Sequence, residues 1–90
     1  MDPLDMRLDG NAAAGMLMDI FGQDMTGALT TCATCHAENP VGRLLVYAHG
    51  MGTVIRCSNC GNVQMKVALI RGGYGVDLRG VRTLRIWRAS

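Results

Sequence analysis

Two short stretches, Cys32-Ala33-Thr34-Cys35 and Cys57-Ser58-Asn59-Cys60, contain all four cysteines of the chain. Each has two residues between its cysteines, a spacing that lets both sulfurs point at one tetrahedral ion. The 21 residues between Cys35 and Cys57 are enough for a hairpin that returns the second pair to the first. The spacing therefore predicts one metal site with Cys32, Cys35, Cys57 and Cys60 as ligands.

Zinc is the metal that this ligand set favours, because four thiolates fill its coordination sphere and make the site structural. The thiolates would give the centre a net negative charge, so Arg56 is a candidate neighbour outside the ligands. Gly61 directly follows Cys60 and suits the left-handed conformation that such a loop often requires. Iron held by the same four sulfurs is a less favoured alternative, since softness and tetrahedral geometry do not separate it from zinc.

Other uses of these cysteines are less favoured. Residues 32–36 end in His36 and satisfy the CxxCH pattern of covalent haem attachment, but that pattern ignores the second pair. A thioredoxin-type redox pair would need a βαβ pattern, which is missing. His36 and His49 are expected to be solvated loop residues without a role.

The composition describes one small domain. The chain has 90 residues, 49% of them hydrophobic, without an apolar run long enough for a membrane span. We expect a flexible lead-in over residues 1–8 and one domain over residues 9–90. The acidic residues Asp2 and Asp5 are unlike a secretory signal, so we expect a cytoplasmic protein, with its cysteines reduced and available to a metal.

A helix is predicted over about residues 11–21, capped by Asp9 or Asn11 and ended by Gly22. Its apolar surface is wide for so short an element. Either it packs on its own sheet, which we favour, or it offers a surplus stripe to a partner. The candidate interaction face consists of Met16, Leu17, Ile20 and Phe21.

The rest of the chain predicts a small antiparallel β-sheet of about four to five short strands, which with the helix makes an α+β metal-bound domain. The predicted extended segments are residues 28–31, 43–48, 53–56, 63–70, 74–79 and 81–88. Turns are expected at residues 39–42 and 49–52, and at Gly72-Gly73, which we interpret as a hairpin turn and not as a phosphate-binding loop.

Charge is unevenly distributed along the chain. The net charge is −4 over residues 1–30, +1 over 31–60 and +5 over 61–90. The basic end could meet an anionic partner or the chain's own acidic end. Candidate contacts to nucleic acid are the basic and aromatic residues of the last third: Arg71, Arg79, Arg82, Arg85, Arg88, Tyr74 and Trp87.

Several stretches resemble a family of short, uncharacterised bacterial proteins, largely actinobacterial, with a zinc-ribbon look. They are Leu8-Asp9-Gly10-Asn11-Ala12-Ala13-Ala14-Gly15, Phe21-Gly22, both CxxC loops, Val46-Tyr47, Arg56-Cys57 and Asp77-Leu78-Arg79-Gly80. The resemblance covers about residues 6–86 and implies a zinc ribbon of two zinc knuckles, with the four cysteines as ligands and no assigned activity. The chain departs from the family at His36, where the family has Gly.

Two functions compete, and neither is enzymatic. The favoured one is a protein-interaction module or adaptor that docks a protein partner or a second copy through the apolar helix. The alternative is a ribbon that binds nucleic acid through its basic end, as in transcription or translation. The period of three in Arg79, Arg82, Arg85 and Arg88 weakens this alternative, because it does not place them on one face of a strand.

We expect no membrane contact, no small-molecule substrate and no catalysis, since the sequence has no nucleophile motif or acid–base pair.

Overall fold

The computed structural model describes residues 7–87 and shows a small α+β fold of one α-helix and eight strands within that range. The helix, α1, spans Ala14–Phe21 and follows a 3-10 turn at Gly10–Ala13. A second 3-10 turn spans Val41–Arg43. The strands are β1 Arg7–Asp9, β2 Leu29–Cys32, β3 Glu38–Pro40, β4 Leu45–His49, β5 Gly52–Arg56, β6 Val63–Ile70, β7 Gly73–Asp77 and β8 Val81–Arg85.

These strands form two antiparallel sheets, where the sequence predicted one of four to five strands. The larger sheet has the order β1-β4-β5-β6-β7, and the smaller has the order β3-β2-β8. Strand β8 follows β7 in the chain but pairs with β2, with Thr30 opposite Leu84. The last strand therefore leaves the larger sheet to complete the smaller one.

The amino-terminal part differs from its prediction. Residues 1–6 of the predicted lead-in lie outside the described residues, as do residues 88–90 of the predicted domain, but Arg7 and Leu8 belong to β1, which pairs with β4. Neither Asp9 nor Asn11 caps α1, because the intervening 3-10 turn makes Ala13 the N-cap, without a side-chain hydrogen bond. The predicted end of the helix is confirmed: Gly22 has φ 78° and donates its N–H to the carbonyl of Met18 at 2.8 Å.

The turn predicted at residues 39–42 begins later in the structure, because residues 39 and 40 belong to β3. Pro40 lies in β3, paired with Leu29, and the turn follows at Val41–Arg43. Proline is tolerated here because β3 is an edge strand. An edge strand has a neighbour on one side only, so a missing N–H on its free side removes no hydrogen bond of the sheet. The extended segment predicted over residues 81–88 was too long, since β8 ends at Arg85.

The core lies between α1 and one face of the larger sheet. Its buried residues are Ala13, Leu17, Met25, Ala28, Val41, Leu44, Val46, Ile55 and Met65. The register pairs Val46 with Ile55 and Ile55 with Met65, so these three buried side chains share the face that packs with Leu17 of α1. On β6 the alternation is incomplete, because Gln64, next to Met65, is also buried. We call the solvent side of this sheet the outer face.

No helix within residues 7–87 is long and apolar enough to cross a membrane.

Candidate metal centre

The four cysteine sulfurs meet at the junction of the two sheets. Cys32 is the last residue of β2 in the smaller sheet, whereas Cys57 directly follows β5 of the larger one. All four Sγ atoms lie within 4.8 Å of one another. The fold therefore brings together the four residues that the spacing predicted as ligands.

The sulfur geometry fits a tetrahedral metal ion. Cys32 Sγ lies 3.7 Å from Cys60 Sγ, and Cys35 Sγ lies 3.7 Å from Cys57 Sγ. Four sulfurs at about 2.3 Å from a central ion would be about 3.8 Å apart. A disulfide would require about 2.05 Å, so the four cysteines are free thiols arranged as a candidate metal site.

Hydrogen bonds within the first loop hold Cys32 in place. Its N–H donates to the carbonyl of Ala37 at 2.9 Å, and its carbonyl accepts from the N–H of His36 at 3.0 Å. The N–H of Thr34 points at Cys32 Sγ, 3.4 Å away. This last contact is the kind that offsets negative charge on a metal-bound sulfur.

The second loop repeats the same pattern at the same offsets. The N–H of Cys57 donates to the carbonyl of Asn62 at 2.9 Å, and the carbonyl of Cys57 accepts from Gly61 at 3.0 Å. The N–H of Asn59 points at Cys57 Sγ, 3.3 Å away. The two loops are therefore equivalent structures that present a pair of sulfurs each.

Both loops need a left-handed residue directly after the second cysteine. Gly61 has φ 79° there, as its position after Cys60 predicted, and His36 has φ 65° at the equivalent place. His36 is the one non-glycine residue with positive φ within residues 7–87. His36 thus forms the same turn as Gly61 but adds backbone strain, because a Cβ disfavours this conformation.

Replacing His36 by Gly is expected to stabilise the protein by about 1 kcal/mol, since it relieves that strain. The matched change, Gly61→Ala, should destabilise it by about the same amount, because it creates the strain in the other loop. Urea denaturation of the metal-loaded variants measures both. Equal midpoints for His36→Gly and the parent would show that position 36 carries no strain.

The loops bury one cysteine each and expose the other. Cys32 and Cys57 are buried, whereas Cys35 and Cys60 are exposed. Burial opposes ionisation of Cys32, but hydrogen bonds from the N–H groups of Cys35 and Thr34 and from neighbouring thiols lower its pKa to about 6. For Cys35 the N–H of Ala37 favours the thiolate, but partial desolvation at the cluster and hydrogen bonds with the surrounding thiols outweigh it and raise the pKa to about 11. Without a metal, the Cys32 thiol thus ionises more readily than an ordinary cysteine and the Cys35 thiol less readily.

Two residues outside the ligands support the second loop. Arg56 Nη1 donates to the carbonyl of Gly61 at 2.9 Å, which joins the two predicted neighbours of the site. Asn62, which the sequence analysis did not single out, donates from Nδ2 to Cys60 Sγ at 3.5 Å. The sequence signal that could have identified Asn62 is its polar side chain two residues after the predicted ligand Cys60.

The residues predicted to contact nucleic acid do not form one surface. Arg79 pairs with Asp77, Arg85 pairs with Glu38, and Arg82 Nη1 lies 3.5 Å from His36 Nε2. Arg71 lies at the turn between β6 and β7. The hydroxyl of Tyr74 donates to the carboxylate of Asp19 at 3.5 Å. Trp87 is exposed and lies two residues after the end of β8. Arg88 lies outside the described residues.

The predicted interaction face of α1 is turned inward. Leu17 is fully buried, and Met16, Ile20 and Phe21 are half-buried against the core. Most of this face therefore packs on the chain's own core, as the favoured interpretation expected, and Met16, Ile20 and Phe21 each keep a partly exposed side chain. Whether a partner contacts these exposed parts stays a prediction.

Fold and site together define a small α+β domain with a four-cysteine centre suited to a metal ion. The chain belongs to a family of unknown function, DUF6510, whose profile matches residues 4–89. This confirms the predicted membership of an uncharacterised family. No curated protein and no solved structure matched the chain.

Proposed function

We propose that the protein is a zinc-ribbon domain that acts in protein interaction and carries out no catalysis, in a reducing compartment such as the cytoplasm. The sulfur geometry and the backbone N–H groups aimed at Cys32 and Cys57 support a tightly held ion. Four cysteine ligands leave no coordination position for water or substrate, so the zinc is structural.

The observation that carries the interaction proposal is an apolar hollow at one end of the larger sheet. Its volume is about 250 Å³, and it is lined by Met16, Gly50, Met51, Thr53, Val67, Leu69 and Tyr74. We call this surface the tip patch. Met51 and Leu69 on its rim are 68% and 50% exposed, and the N–H of Leu69 bonds to the carbonyl of Met51 at 2.9 Å. Large side chains so exposed beside a hollow are typical of an interaction surface.

We commit to a second copy of the chain as the occupant. A two-fold interface requires a surface that complements itself, and here a protruding Met51 stands beside a hollow that could receive an apolar side chain. Methionine suits this role because its flexible side chain adapts to irregular gaps. The patch is small, so the dimer should be weak and should appear only at high protein concentration.

Replacing Met51 by Lys is expected to weaken this dimer at least tenfold, because a charge would enter an apolar hollow. The matched control is Met18→Lys, an exposed methionine on α1 that does not line the hollow. Sedimentation equilibrium of the zinc-loaded proteins over a range of concentrations measures the dissociation constants. A parent that stays monomeric, or equal weakening by both variants, would contradict the proposal.

A further inference from the structure

The outer face of the larger sheet collects a second set of polar residues, which the sequence analysis did not single out as a group. The strand register places Tyr47 opposite Val54, Val54 opposite Lys66, and Lys66 opposite Asp77. Paired residues share a face, so this row crosses four strands on the side away from α1. Lys66 is exposed, and Tyr47, Val54 and Asp77 are half-buried.

Tyr47 and Arg56 form a cation–π pair at one side of this face. The guanidinium carbon of Arg56 lies 5.6 Å from the centre of the Tyr47 ring. The bond from Arg56 Nη1 to the carbonyl of Gly61 fixes the guanidinium in this position. The guanidinium is thus held beside the Tyr47 ring by a bond to the second cysteine loop.

Cations lie at the other side of the face. Lys66, Asp77, Arg79 and Gly80 line an open hollow of about 190 Å³ together with Val63 and Gln64. Arg79 donates to both carboxylate oxygens of Asp77 and lowers the pKa of that carboxyl to about 2. Together Arg56, Lys66, Arg79 and Asp77 have a net charge of +2.

The next row along the strands has only small residues on β5, β6 and β7. Gly52 pairs with Ala68, and Ala68 pairs with Gly75. These three residues are two positions from Val54, Lys66 and Asp77, so they lie on the same face, and His49 of β4 pairs with Gly52 at the end of the row. A strip of small residues on three strands therefore runs beside Lys66 and Asp77.

We propose that the outer face binds single-stranded nucleic acid, with a base stacked on the Tyr47–Arg56 pair and phosphates near Lys66 and Arg79. Strands are about 4.8 Å apart, so Tyr47 and Lys66, two strands apart, are separated by about 10 Å, a span suited to a short stretch of nucleotides. Stacking on aromatic and guanidinium planes and charge attraction to the backbone are the two elements of sequence-independent binding to single strands. An acidic peptide would use the cations but would gain nothing from the strip of small residues and the Tyr47–Arg56 pair.

This site is distinct from the basic residues of β8. Arg82 and Arg85 belong to the smaller sheet, where Arg85 is paired with Glu38. Arg82 therefore offers a control that removes the same charge from another surface.

Fluorescence anisotropy of the zinc-loaded protein with a labelled oligothymidylate of about eight nucleotides tests the proposal. Tyr47→Leu should weaken binding about tenfold, the loss expected for one stacked base. Lys66→Ala should reduce the slope of log affinity against log salt by about 0.7, the value for one phosphate contact on a single strand. Arg82→Ala should change affinity less than twofold.

Three results would overturn the proposal: no binding by the parent at about 100 μM protein in low salt, equal losses for Lys66→Ala and Arg82→Ala, or competition by polyglutamate as effective as that by unlabelled oligonucleotide. Far-UV circular dichroism and zinc content verify the fold of each variant. If Tyr47→Leu does not fold, Lys66→Glu carries the test from an exposed position, and unchanged affinity in that variant would also overturn the proposal.

Discussion

Replacing Cys57 by Ser is expected to abolish tight metal binding and to unfold most of the domain at room temperature. Cys57 is fully buried and its sulfur accepts the N–H of Asn59, so a hydroxyl there would be a poor ligand without access to water. Zinc binding to four-ligand peptides is worth about 10–16 kcal/mol at neutral pH, as much as the whole net stability of a typical protein, which is about 5–15 kcal/mol. Loss of one ligand should therefore remove at least about 5 kcal/mol.

Metal content by elemental analysis and unfolding by circular dichroism measure this effect. The matched control is Ser58→Ala, which changes an exposed residue of the same loop and should alter stability by less than about 0.5 kcal/mol. Elemental analysis of the parent also distinguishes zinc from iron. A Cys57→Ser protein that stays folded after treatment with a chelator would contradict the structural role of the ion.

Replacing Gly80 by Ala is expected to cost roughly 3 kcal/mol or more, because the backbone of β6 occupies the space that a side chain would need. A Cβ at Gly80 would lie 1.9 Å from the carbonyl oxygen of Val63 and 2.5 Å from the Cα of Gln64. These are main-chain atoms, so no side chain can move to relieve the overlap. The N–H of Gly80 also donates to the carbonyl of Gln64 at 3.1 Å, and its carbonyl accepts from Ala33 at 2.9 Å.

Gly15→Ala is the matched control for this change. Gly15 lies in α1 with nothing near the position of a new Cβ, so alanine there should stabilise the protein by about 0.5–1 kcal/mol through its higher helix propensity. Thermal unfolding with metal bound compares the two variants. An unchanged melting temperature for Gly80→Ala would show that the close approach of β6 does not constrain the fold.

Local features of the chain were predictable from the sequence. The cysteine spacing indicated the four residues of the candidate site, and Gly22 indicated the end of the helix. Alternating apolar residues indicated β6, whose observed bounds, Val63–Ile70, match the prediction. Each of these signals depends on residues close together in the chain, where periodicity and turn chemistry act directly.

The pairing of distant strands was not predictable in the same way. Nothing in the local pattern of β8 shows that it pairs with β2, since a strand's periodicity describes its faces and not its neighbour. The same limit hid the row of Tyr47, Val54 and Lys66, which only the register of three strands brings together. The arginines of the last third were visible as a charge excess, but their separation between two sheets was not.

The position of one cysteine loop on each sheet has a consequence for assembly of the chain. Strands β2 and β3 pair locally, but Thr31 of β2 and Thr83 of β8 pair across 52 residues, so β8 joins the smaller sheet only after a long segment has closed. A metal ion held by all four sulfurs would link Cys32 to Cys60 and bypass 28 of those residues, roughly half of the segment. Halving a loop lowers the entropy cost of its closure by only about 0.6 kcal/mol, so such an ion would ease the pairing of β8 only slightly through loop closure. Its larger effect would be to hold the first cysteine loop of the smaller sheet against the end of β5.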